Sequence, residues 1–357
     1  MNPNWPPCLA TLRAGSARPA STRGPCATRR ITLSATGSFP DAGDRPMNLT
    51  RRKFMVSLAA MAGAGLAAAC VRTQSHSTPT ERRPIPDVTG ELRLLVLGDW
   101  GTGKWQQRAV AEGMHNASRE LGGFHAGLML GDNFYPSGVT GIADSKWQTH
   151  FRQVYDTSEL GNLTWHAVLG NHDWLGDVQA QIDYSASDPH WSMPGHYWRH
   201  DFAPLSAASL TVLGIDTDPH YNRWGDQMIW LESQLQAAQM GGRPRIVIGH
   251  HPIYSYSRHG PEAHVARDVK PLLERYGAQA YLCGHDHNTQ VMEKNNVLYA
   301  VLGGGGAGLY DTDAGVLTKF WAVKHGFGVL RVTQASLKLE CRDLHGVLLY
   351  DTALQLA

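Results

Sequence analysis

From residue 92 onward the chain alternates short apolar runs with stretches of helical spacing. Residues 92–97, 126–130, 165–169, 210–215, 245–248 and 280–282 are apolar runs of strand length, as expected for strands buried on both faces. Residues 106–121, 145–155, 227–238 and 265–276 read as helices lying between them. Further strand signals follow without helices at 297–302, 328–332 and 337–341, with residues 303–306, four glycines, as a tight turn. Strand–helix–strand units followed by a β-rich end, with no internal repeat, predict an α/β fold. It is an α+β four-layer arrangement in which two mixed β-sheets pack as a sandwich with helices on the outer faces.

The region before residue 91 is different in kind. Residues 1–46 are rich in Pro, Arg, Ser, Thr and Gly without periodicity, so no packed core is expected there. They read as a disordered or mis-called extension, with translation starting at Met47. Arg51-Arg52-Lys53-Phe54-Met55 precedes an apolar run of small residues that ends at Cys70. This resembles a twin-arginine export signal, and the run is too short for a comfortable membrane span. Residues 47–70 are therefore expected to be a signal peptide, 71–90 a linker and 91–357 one catalytic domain. Two processing outcomes compete. The run before Cys70 resembles a loose lipobox, which would make Cys70 a lipid anchor; the same alanines suit cleavage without lipid, and the reading leans to the second. The expected location is periplasmic or secreted.

Composition narrows the partners. Lys and Arg number 32 against 31 Asp and Glu, which argues against a nucleic-acid partner. The five cysteines show no paired spacing, and Cys283 and Cys341 fall in strand-like runs as buried free thiols. Histidine is abundant, with 18 residues, and its placement is not random.

Five predicted strands each lead into a glycine followed directly by a residue able to bind a metal: Gly98-Asp99, Gly131-Asp132, Gly170-Asn171-His172, Gly249-His250 and Gly284-His285-Asp286-His287. Glycine permits a sharp turn at a strand end, and loops past strand carboxyl ends are where α/β sheets bind ligands. One Gly-His or Gly-Asp means nothing. Five at the same structural position point to a shared cation site. A carboxylate such as Asp132 bridges two hard cations, one per oxygen. Tyr135, three residues on, serves as a phenolate only beside a strongly acidic ion, because free phenol titrates near ~10; ferric iron meets that condition far better than magnesium or calcium.

The order GDWG, GDNFY, GNHD, GHHP, GHDH resembles the purple acid phosphatases, within the calcineurin-like metallophosphoesterase superfamily, and most closely the small single-domain branch. The resemblance covers about residues 92–309. It implies a dinuclear centre in which Asp99, Asp132, Tyr135 and His287 hold Fe(3+), and Asp132, Asn171, His250 and His285 hold a divalent Fe2+, Zn2+ or Mn2+. It makes His172 and His259 proton-handling residues that face the substrate, and leaves His251, Asp173 and Asp286 as structural or supporting groups. The implied reaction is hydrolysis of a small phosphate monoester by direct attack of a metal-bound hydroxide, in a monomer. Two alternatives are a di-manganese or di-zinc phosphodiesterase on the same scaffold, against which Tyr135 speaks, and a non-catalytic phosphate- or metal-binding protein. Two departures stand out. The connection between Asp216 and Gln227 is short where mammalian-type relatives carry a loop that restrains activity, and residues 260–264 lack their cysteine. Neither a disulfide nor proteolytic activation is expected.

Overall fold

A computed structural model describes residues 90–203 and 208–356. The expected export signal with Arg51 and Arg52, the lipid-anchor candidate Cys70, the expected 1–46 extension and nearly all of the expected linker lie outside the described residues. No helix among the described residues is long and apolar enough to cross a membrane.

Two seven-stranded sheets carry the fold. Strands β1 (Leu92–Leu97), β2 (Ala126–Met129), β3 (Trp165–Ala167) and β4 (Trp191–Ser192) run parallel. The antiparallel strands β12 (Gly326–Val332), β13 (Ser336–Asp343) and β14 (Leu348–Gln355) extend that sheet on the other side of β1. In the second sheet β6 (Leu210–Gly214), β7 (Arg245–Ile248), β8 (Ala280–Cys283) and β10 (Val297–Leu302) are parallel. It is flanked by antiparallel β5 (Trp198–Phe202) on one side and by β9 (Thr289–Lys294) and β11 (Thr318–Ala322) on the other. Helices α1 (Trp105–Leu121), α2 (Gln153–Tyr155), α3 (Val178–Tyr184), α4 (Trp224–Met240) and α5 (Ala263–Arg275) complete it.

The period-2 alternation of each strand assigns its side chains to layers. Leu92, Leu94 and Val96 of β1 meet Val212, Ile246, Ile248 and Leu282 of the second sheet in the central core. The alternate residues Leu95 and Leu97 pack outward against Val110, Met114 and Ala117 of α1. On the far side Leu213, Val247 and Tyr281 pack against Leu231 and Leu235 of α4 and Val265, Val269 and Leu273 of α5. The predicted helix–sheet–sheet–helix sandwich is the fold observed, and Cys283 and Cys341 are buried free thiols within it.

Three local expectations differ. Residues 303–306 do not make a tight turn. They continue away from β10 alongside the exit of β1, with Gly305 N–H donating to Gly98 O at 3.1 Å and Ala307 N–H to Asp99 O at 2.9 Å. A Cβ on Gly305 would sit 2.3 Å from Gly98 O, so close backbone approach is what the glycine serves. The helix expected at 145–155 is a π-helical stretch, Trp147–Arg152, running into α2. Strand β9 carried no apolar signal because its buried Thr289 and Gln290 are polar; Gln290 accepts from Tyr256 N–H and donates to Ser255 Oγ.

An ionic ladder, buried at Arg342 and Glu340 and exposed at Glu120, ties the β12–β13 side to α1. Arg342 binds Glu340 at 2.8 Å and Glu120 at 2.7 Å, and Glu340 also meets Arg331 at 3.0 Å. Burial alone would raise the Glu340 carboxyl, but Arg342 and Arg331 hold it below its ordinary 4.5. A depressed carboxylate stabilises the fold above its unfolded pKa, and that contribution is lost as pH falls through the folded value. Arg342→Met is expected to cost roughly 2–3 kcal/mol at pH 7, since Glu340 keeps Arg331. The deficit should shrink below about pH 4, as read by urea unfolding across pH.

Candidate metal centre

Strands β1, β2, β3, β7 and β8 bring their carboxyl ends to one edge of the sandwich, and all seven predicted ligands lie on the segments that follow. Asp99, Asp132 and His285 themselves adopt left-handed backbone, with φ of 59°, 51° and 71°. Aspartate and histidine tolerate this region better than most residues, yet each instance stores on the order of 1–3 kcal/mol. The expected role of the preceding glycines is corrected accordingly. Among the five, Gly131 alone has positive φ, +88°. The others are needed for space: a Cβ on Gly170 would lie 2.3 Å from Asp132 N and Oδ1, and one on Gly284 would lie 2.3 Å from Asp99 Oδ2.

The donor atoms fall into two groups joined through Asp132. In the first, Tyr135 Oη lies 2.7 Å from Asp132 Oδ2, 3.2 Å from Asp99 Oδ1 and 3.2 Å from His287 Nε2. In the second, Asn171 Oδ1 lies 3.1 Å from His250 Nε2 and 2.9 Å from His285 Nδ1, while Asp132 Oδ1 is 3.5 Å from His250 Nε2. The two oxygens of Asp132 thus face different groups.

Counting protons shows what fits there. His287 Nδ1–H donates to Gly308 O at 2.6 Å and His250 Nδ1–H to Leu130 O at 2.9 Å. A carbonyl only accepts, so each ring turns its Nε2 lone pair inward. The first group then holds two carboxylate oxygens, an imidazole lone pair and a phenol with a single proton. Asp99, Asp132 and His250 are fully buried; backbone N–H groups of His285 and His172 reach Asp99 and Asp132, but they leave two carboxylate charges concentrated in a buried site, which is costly. Cations satisfy both groups. Burial, then Asp99 and Asp132, push the Tyr135 phenol well above its ordinary value, so a highly charged ion is needed to take its proton. Burial opposes charge on His250, but Asp132 and Asp99 outweigh it and raise the imidazole: a proton is favoured where a cation fits.

The supporting carboxylates are nailed to backbone. Asp173 accepts from the N–H groups of Asn133 and Gly170 and from Gln181; burial and Asp132 push it up. Asp286 accepts from Ser255 Oγ and from His259 N–H. His251, expected to be a structural or supporting group, lies against the second donor group. Its ring is 4.4 Å from that of His285, and one nitrogen from each of His250, His251 and His285 lies within 4.8 Å of the others. Its Nδ1 meets Thr217 Oγ1 at 2.9 Å, and burial, then His250, hold it well below the usual imidazole range.

His172 lies against the first donor group and His259 against the second. The His172 ring lies 4.5 Å from Tyr135, with Nδ1–H donating to Pro136 O at 2.6 Å; the His259 ring lies 4.5 Å from His285. A cleft of about 510 Å³ opens here, lined by Lys104, Tyr135, His172, His287, Gly306 and Tyr310 among others. Tyr310, which stacks on His287 at 4.2 Å and 14°, and the 306–308 wall escaped the sequence reading, because neither carries a motif.

Residues 92–289 match the family described as calcineurin-like phosphoesterase. The chain belongs to that family. Among curated relatives, tartrate-resistant acid phosphatase type 5 of Homo sapiens is 35% identical over 241 residues, 61% of this chain and 74% of the relative. Among solved structures, GAP50, named as the anchor in the inner membrane complex of Plasmodium, aligns with TM-score 0.69 and 25% identity over 75% of this chain and 90% of that one. A purple acid phosphatase from yellow lupin (Lupinus luteus) seeds shares the fold, with TM-score 0.58 and 16% identity over 76% of this chain and 55% of its own. In a calcineurin-like phosphoesterase with purple acid phosphatase relatives, two donor groups sharing one carboxylate correspond to a dinuclear metal centre.

Gly170→Ala is expected to push Asn171 and Asp132 apart, to cost about 1–3 kcal/mol from overpacking, and to leave fewer than two metal ions per chain by elemental analysis. Two ions retained in the variant would show that the close approach at Gly170 is dispensable.

Proposed function

We propose that this calcineurin-like phosphoesterase is an exported acid phosphatase that hydrolyses phosphate monoesters at a two-cation centre. The observation that carries the reading is the division of Asp132, with Oδ2 toward Tyr135 and Oδ1 toward His250. Asp99, Asp132, Tyr135 and His287 would hold Fe(3+), since carboxylates and a phenolate suit the harder ion. Asp132, Asn171, His250 and His285 would hold divalent iron, zinc or manganese, which imidazole and amide suit. When bound, such a pair neutralises phosphate charge and acidifies water.

The chain's own groups do the rest. His172, fixed through Nδ1 on Pro136 O, leaves Nε2 for the cleft. His259 is held through its backbone N–H by Asp286 at 3.0 Å. As imidazolium, either residue stabilises negative charge on the phosphate or gives a proton to the departing oxygen, and histidine titrates in the range where this works. Loops on both sheets fix these positions before substrate arrives, which lowers the orientation cost. The acid-phosphatase relative and the twin-arginine-like stretch before Cys70 support the acid optimum and the export.

The likeness to GAP50 favours a second reading, a non-catalytic binding protein on the same fold. Against it stands the full donor set together with both flanking histidines. Turnover of p-nitrophenyl phosphate, in preference to bis-p-nitrophenyl phosphate, by the purified metal-loaded protein separates these readings and the phosphodiesterase.

Tyr135→Phe is expected to bleach the visible absorption of the metal-loaded protein while most metal remains; an unchanged spectrum removes the iron–phenolate pair from the proposal. His259→Ala is expected to lower turnover of alkyl phosphates by about 10²–10⁴, and that of p-nitrophenyl phosphate much less, because a good leaving group needs no proton. Equal losses on both substrates exclude the acid role.

A further inference from the structure

The rim of the cleft carries a cation that the proposed chemistry does not use. Arg258 immediately precedes His259, and its guanidinium lies over the Tyr310 ring, 5.0 Å from the centroid. The same ring stacks on His287. Guanidinium, phenol and imidazole therefore form a column that starts at a metal ligand and ends at the rim. Among the described residues no carboxylate lies within ion-pair distance of Arg258, unlike Arg331 or Arg342.

The column is seated on two stitched loops. Ser257 Oγ–H donates to Asp311 O at 2.8 Å, Asn288 Nδ2–H donates both to Ser257 Oγ at 2.8 Å and to Tyr310 O at 3.2 Å, and Ser257 bridges Thr312. A cavity of about 440 Å³ lined by Arg258, Leu309, Tyr310 and Asp311 adjoins the main cleft across Tyr310. With Arg258 against Tyr310 and His287 stacked on it, the ring is a poor platform for an aromatic leaving group. What the rim offers is a positioned, unpaired fork of N–H donors, the geometry that suits a carboxylate or phosphate. Exposed Lys104 adds positive charge within the main cleft, and exposed Asp311 opposes it at the outer cavity.

We propose that Arg258, positioned by Tyr310, is a specificity-determining residue that selects phosphate monoesters bearing a second anionic group on the leaving group. This rests on the phosphatase reading above and names the substrate class for that site. The hydrolysed bond and the proton transfers are unchanged; the second anion is bound and does not react.

The test compares kcat/KM for 3-phosphoglycerate, whose leaving group carries a carboxylate, with that for glycerol 2-phosphate, whose leaving group is neutral. Arg258→Gln is expected to lower the ratio about threefold to tenfold, the scale of one partly exposed charge-assisted contact. Arg258→Lys should recover part of it, Tyr310→Leu should lower it by freeing the guanidinium, and Asp311→Asn should raise it. A ratio unmoved by Arg258→Gln overturns the proposal even when both substrates turn over. If neither substrate is hydrolysed, the phosphatase reading fails, and the subsite is read by calorimetric titration of metal-loaded protein with pyrophosphate and orthophosphate. Arg258→Gln weakening pyrophosphate selectively upholds the anion subsite; equal effects on both ligands, or none, overturn it.

Discussion

At the meeting edge of the two sheets, lone pairs outnumber protons. Two buried carboxylates, a phenol and imidazoles whose N–H groups are already spent on backbone carbonyls converge within hydrogen-bonding distance of one another. In water each would find a donor. Buried, the carboxylates find backbone N–H groups of His285 and His172 but no Lys or Arg ion pair among the described residues, and uncompensated charge there is costly. A pair of cations resolves the excess. The metal centre is thus the term that makes this arrangement of side chains consistent with a folded protein, and its affinity is folding free energy as well as chemistry.

Holding the acceptors together requires close backbone packing at the strand tips. Left-handed φ at Asp99, Asp132 and His285 aims the side chains inward, and the neighbouring glycines make room for them. Behind them Asp173 and Asp286 accept backbone N–H groups from the adjoining loops, and Leu130 O and Gly308 O take the outer N–H groups of His250 and His287, so these loops and rings are fixed by groups outside the donor set. The sandwich contributes rigidity: its central core is continuous from β1 to β8, and a displaced tip would have to drag a buried strand with it.

The scaffold alone does not decide activity. A solved relative by fold is named as a membrane-complex anchor, and one fold serves many purposes. The side-chain set at the strand tips separates a hydrolase from a binding protein here, and the loops around Arg258 and Tyr310, outside the shared strands, decide which ester fits. That division matches the physics: precise metal geometry needs rigid elements, while selection of a leaving group is worth only about one charge-assisted contact and tolerates change.

The sequence by itself determined the strand runs 92–97, 245–248 and 297–302, which the structure shows as β1, β7 and β10, and the seven candidate ligands that follow the runs at 92–97, 126–130, 165–169, 245–248 and 280–282. Both are local: a strand buried on two faces needs consecutive apolar residues, and a ligand on the following loop needs only a short offset from it. Only the tertiary structure decided why glycines precede the ligands, since the constraint at Gly170 comes from Asp132 on another strand. It also decided that residues 303–307 line the exit of β1, that β9 buries Thr289 and Gln290, and that the Tyr310 ring meets both Arg258 and His287. These depend on segments far apart in sequence coming into contact, and no periodicity along the chain records a partner that lies tens to hundreds of residues away.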